Sequence, residues 1–144
     1  MQPIFFIILV GLLGGMAIGV QSLMSSMISQ RLGVMESIFI VHVGGALAVS
    51  IPLLVFGSRL GEWRSVPWYT LGAGAFGLMV IFSMSYMIPR IGVAGALITL
   101  MAGQLFVGSL LDHFGWLGAA QRVMDVPRMI GLGVVMLGVW LTVK

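Results

Sequence analysis

Residues 91–111 read IGVAGALITLMAGQLFVGSLL, with no charged side chain between Arg90 and Asp112. A helix of roughly 20 mostly apolar residues is what crosses a ~30 Å hydrocarbon core. The run is continuously apolar where a membrane barrel strand would alternate, so a β-barrel is excluded. The rest of the chain has the same character. Of its 144 residues, 60% are hydrophobic and 8% charged, against about 45–50% and about 25% in an average soluble domain. A soluble fold of this length could not bury so much apolar surface, and disorder needs the opposite composition.

Five such segments are predicted, at about residues 3–30, 37–56, 67–88, 91–111 and 127–143, within a single transmembrane domain covering 1–144. Gln30-Arg31-Leu32-Gly33 ends the first and residues 57–64 separate the second from the third. Pro89-Arg90 is a short break, which predicts that the third and fourth helices are antiparallel neighbours. Pro67 and Pro127 stand where helices should begin, a position proline tolerates. Pro52 is expected to bend the second helix. The first segment lacks a basic n-region and exceeds the 7–15-residue apolar run of a signal peptide, so it reads as an uncleaved helix.

Five spans place the termini on opposite faces. Arg59, Arg64, Arg122 and Arg128 fall on the side of the N-terminus, and Arg31, Arg90 and Lys144 on the other. Orientation follows the Lys/Arg difference between faces, which here is a single charge. Two readings stand: one orientation with a cytoplasmic N-terminus, or dual topology with copies paired antiparallel. The seven Lys/Arg are scattered singly, with no basic stripe, so no nucleic-acid partner is expected. Cysteine is absent, which removes disulfides, thiolate metal sites and Cys nucleophiles. No P-loop, dinucleotide fingerprint, HExxH or Gly-x-Ser-x-Gly motif occurs. Hence no enzyme activity, no cofactor and no metal are expected.

Small residues recur at helical spacing. Gly11, Gly15 and Gly19 form a ladder on the first helix, and Gly44 with Ala48, and Ala73 with Gly77, repeat it. Small residues let helix backbones approach closely in lipid, so Gly11, Gly15, Gly19, Gly44 and Gly103 are assigned to helix packing.

Polar side chains inside a span are costly and mark candidate sites. On the first helix Gln21, Ser25 and Ser29 share a face, while Ser22 and Ser26 are expected to bond their own helix. Gln21 reads either as an interhelical hydrogen bond or as a group lining a hydrated cavity. Gln104 has the same two readings, with Thr99 its nearest polar neighbour upstream and Gly103 permitting a close approach. Tyr86 is either an interface anchor or a site residue. No carboxylate lies near a helix centre, so the ion-coupling candidates are Glu36, His42 and Asp112. Glu36 equally complements a helix dipole, and His42, about five residues into its helix, equally packs.

The fourth helix and its exit, Ile91-Gly92-Val93-Ala94-Gly95-Ala96, Ala102-Gly103-Gln104-Leu105 and Ser109-Leu110-Leu111-Asp112-His113-Phe114-Gly115, resemble the YdcZ-type family of small five-helix membrane proteins. That family, long labelled domain of unknown function 606, is placed in the drug/metabolite transporter superfamily. Gly44-Gly45, and Arg128, Gly131 and Met136-Leu137-Gly138-Val139, agree with it, whereas His42 departs from its pattern. The resemblance implies a bacterial inner-membrane protein equivalent to half of a ten-helix inverted-repeat transporter. Two oppositely oriented copies, or one copy and an oppositely oriented paralogue, would restore the two-fold symmetry of secondary transporters.

The expected fold is therefore all-α: five transmembrane helices assembled as an antiparallel dimer in the lipid bilayer. The expected function is alternating-access transport of a small-molecule substrate held near mid-depth by Gln21, Ser25, Tyr86, Thr99 and Gln104. The alternatives are a small dual-topology ion channel, which needs a continuous polar path, and a non-transporting membrane assembly subunit.

Overall fold

The computed structural model describes residues 4–144, all of whose regular elements are helical. Helix α1 spans Ile4–Leu32; the expected start at Pro3 lies outside the described residues. Helix α2 spans Val34–Phe56 and continues through Pro52. It begins about a turn earlier than expected, because Glu36 sits in its first turn, where a carboxylate favours the positive end of the helix.

Pro67 opens a 3-10 stretch, Trp68–Gly72, before α-helical geometry sets in at Ala73. The hydrogen-bonded segment Ala73–Phe114 is 42 residues long. At 1.5 Å per residue it would measure about 63 Å, twice a ~30 Å bilayer core. It therefore holds two crossings, and the break lies at Gly92, with φ 74° and ψ 170°. Helix α3 is residues 73–91 and α4 is residues 93–114. The break expected at Pro89-Arg90 is thus displaced. Pro89 lies inside the helix, since its fixed φ is helical and only its donor is lost. Gly92 takes a backbone conformation that side chains exclude. Helix α4 also runs a turn past Leu111. Helix α5, Val126–Val143, is capped by Asp125, whose Oδ1 accepts from the Arg128 N–H at 3.0 Å, with Pro127 in its first turn.

The residues up to Pro89 form one compact unit and Arg90–Lys144 a second. In the first, α1 and α2 are joined by Gly33 alone, with φ 120°. The Glu36 carboxylate folds against the spot a Gly33 side chain would occupy. The chain doubles back so that Ser37 Oγ donates to the Ser25 carbonyl at 2.8 Å and lies 2.9 Å from Ser25 Oγ. Ser26 and Ser37 are fully enclosed and Ser25 is 2% exposed. Ser26 accepts from Gln30 Nε2 at 3.2 Å, a bond within its own helix as expected, though made to a side chain and not to the backbone. The most enclosed positions of this unit are thus mainly hydroxyls, joined by Met84 on α3. Large apolar side chains such as Leu54 and Phe56 are more than four-fifths exposed. That distribution suits a chain whose surroundings are lipid, where close packing and hydrogen bonds hold helices together.

In the second unit Ala96 is fully enclosed, and the Ile98 side chain comes within 3.4 Å of the position of a Gly138 Cβ. Residues 115–125 fold back over the end of α4. There the Arg122 N–H donates to the Asp112 carbonyl at 2.7 Å, Gln121 Nε2 to the His113 carbonyl at 3.2 Å, and the Met124 N–H to His113 Nδ1 at 3.1 Å. Helix-end carbonyls need such partners.

Candidate functional site

Helices α1, α2 and α3 enclose an open groove of about 350 Å³, lined by Gln21, Val41, His42, Gly45, Gly77, Val80 and Ile81. Its walls are apolar apart from an amide and an imidazole. His42 stands eight residues into α2, about 12 Å from the helix start, deeper than the sequence suggested because α2 begins earlier. Its Nδ1 lies 2.8 Å from the Ile38 carbonyl. A carbonyl only accepts, so Nδ1 carries the proton and Nε2 points away from its own helix. The ring occupies the notch left by Gly77: a Cβ there would lie 2.9 Å from Nε2. The Gln21 amide makes no hydrogen bond among the described residues, which leaves its two donors and its carbonyl for a bound molecule.

The other sequence-derived candidates are distributed differently. Ser25 is enclosed and engaged with Ser37. Thr99 donates to the Gly95 carbonyl at 2.7 Å. Tyr86 and Gln104 are exposed on α3 and α4. Gly11, Gly15, Gly44 and Gly103 have no neighbour within reach of an added Cβ. Glu36 lies over the α1–α2 connection.

Asp112 lines a second groove, of about 460 Å³, between α4 and α5 with Leu105, Ser109, Met124, Arg128, Gly131, Leu132 and Val135. Among the described residues no three His, Asp or Glu side chains gather as a metal site requires.

Two features escaped the sequence reading. Ser37 was not singled out, although a serine at the start of an apolar helix was visible. Gly77 was read only through its spacing from Ala73, and nothing in that spacing tells that its partner is an imidazole.

Apolar spans around an interior in which serines are enclosed together with a few apolar side chains define a multi-pass membrane protein. Residues 6–141 match the family described as "Putative inner membrane exporter, YdcZ". The chain belongs to this family, and is a multi-pass protein of the inner membrane. No curated protein and no solved structure matches it. An exporter moves solutes across the bilayer, which is a non-enzymatic kind of function.

Proposed function

We propose that the protein exports a small, hydrogen-bonding metabolite by alternating access, as an antiparallel pair of this chain or with an oppositely oriented paralogue. The observation that carries this reading is the groove between α1, α2 and α3, where Gln21 and His42 face a wall that is otherwise apolar. A few polar groups in an apolar concavity are the usual composition of a small-molecule site. No Asp, Glu, Lys or Arg lines it, which favours a substrate recognised by hydrogen bonds. Gln104, exposed on α4, and the glycine ladder Gly11, Gly15 and Gly19, open at Gly11 and Gly15, are the surfaces assigned to the opposing subunit. Ser25 acts by holding α1 and α2 in register, while Thr99 bonds within α4.

Two measurements test the proposal. A cysteine added after Lys144 is unique in the chain, so an impermeant maleimide reports C-terminal orientation in intact and opened cells. Labelling of about half the population from outside supports the homodimer. Labelling from one side alone eliminates it and leaves the paralogue pair. Metabolite-dependent thermal stabilisation of the purified protein should then disappear in Gln21→Ala. Retention of that stabilisation would remove Gln21 from the site.

A further inference from the structure

The groove between α4 and α5 shares no residue with the Gln21–His42 site and has a different chemistry. At one end it carries both signs of charge: Asp112, half-buried in the last turns of α4, and Arg128, in the first turn of α5. The two line one cavity without forming an ion pair. The Asp112 carboxylate makes no hydrogen bond or ion pair among the described residues. Arg128 Nη1 donates to the Arg122 carbonyl at 3.2 Å, which fixes the guanidinium and leaves Nη2 and Nε open. Ser109 adds a hydroxyl one turn below Asp112. Away from the charges the wall becomes apolar, through Leu105, Leu132 and Val135. Leu105 is seven residues from Asp112, about 10 Å down the helix. At the same end of α4, outside the groove's lining, Phe114 and Trp116 stack with ring centroids 4.7 Å apart, and aromatic side chains of this kind collect at headgroup level.

We propose that this groove is a binding site for an aminophospholipid, a lipid whose headgroup carries both a phosphate and a primary ammonium. The phosphate meets Arg128, the ammonium meets Asp112, and an acyl chain lies along Leu105, Leu132 and Val135. Three features argue for a lipid: paired but unjoined charges at a helix end, aromatic rings at the same helix end, and an apolar wall along the rest of the groove. Arg recognises phosphate through charge-assisted hydrogen bonds. A primary ammonium supplies three donors to a carboxylate, which a quaternary choline does not.

Native mass spectrometry of the purified full chain in detergent tests the assignment with four probes. These are phosphatidylethanolamine, phosphatidylcholine and phosphatidylglycerol of equal chain length, and soluble phosphoethanolamine. The expected result is retention of phosphatidylethanolamine at least fivefold above the other two lipids, reduced to their level by Asp112→Asn. That substitution is near-isosteric at an unengaged carboxylate, and circular dichroism should confirm unchanged helix content. The comparison between lipids needs no variant at all. Equal retention of the three lipids overturns the proposal. So does retention of phosphatidylglycerol equal to that of phosphatidylethanolamine, which reduces the groove to an anion contact at Arg128. Binding of phosphoethanolamine as tight as that of the whole lipid also overturns it, since the apolar wall would then contribute nothing.

Discussion

The two compact units secure their helix connections by different means. In the first, a single glycine joins α1 to α2 and the contact is sealed by side chains, Ser25 against Ser37. In the second, residues 115–125 join α4 to α5, and the loop is tied to the end of α4 by one backbone bond, Arg122 N–H to the Asp112 carbonyl, and by two bonds in which the Gln121 or His113 side chain takes part. A side-chain clamp is written in the identity of two residues. The backbone bond made by Arg122 tolerates substitution of that residue as long as the loop keeps its path. Their grooves differ in the same sense: one is an apolar wall with an amide and an imidazole, the other a charged end on an apolar channel.

The strongest way to break this comparison is Ser37→Leu. A larger side chain at a fully enclosed position must push α1 and α2 apart and also loses the bond to the Ser25 carbonyl. Overpacking plus a lost interhelical hydrogen bond amounts to about 2–4 kcal/mol. Thermal unfolding in detergent should show it, whereas Arg122→Ala, which leaves the backbone donor in place, should shift the midpoint little. Comparable losses from both would erase the distinction between the two clamps.

Gly92→Ala comes next. A side chain at φ 74°, ψ 170° costs about 2 kcal/mol. The same assay should register a loss larger than that of Gly74→Ala, where the added Cβ meets open space. Equal effects would mean that Gly92 relaxes to an ordinary backbone.

The smallest effect on stability, about 1 kcal/mol or less, is expected for Gly77→Ala, because the far end of a flexible ring can move out of the way. Its effect on transport should be larger, since it expels His42 from its notch. In a His42→Ala background the same substitution should change transport little, as coupling between contacting residues requires. Additive losses would show that Gly77 acts on something other than the imidazole.

Helix number and approximate placement were legible because lipid imposes a length and an apolarity that sequence displays directly. The boundaries were less so. Proline reads as a stop, yet Pro89 is accommodated within a helix, while the actual break is a backbone torsion at Gly92, one of 21 glycines, and composition does not mark which of them turns. Of the candidate site, Gln21 and His42 were each visible as polar groups in apolar runs. Their sharing of one groove was not, because it depends on how three helices rotate about their axes. Ser25 was visible too, but Ser37, which occupies its hydroxyl, is twelve residues away and comes into reach only once the chain has turned at Gly33.

The enclosed serines make the molecule the reverse of a water-soluble globule. Its best hydrogen bonds are hidden and its greasiest side chains face outward. Oil offers those hydroxyls no competing donors, so the medium itself keeps the serine seam shut. A solvent able to offer hydrogen bonds competes for that seam wherever it gains access, however well it wets the exterior. For this chain the choice of detergent is therefore a choice of how much competition the α1–α2 junction must survive.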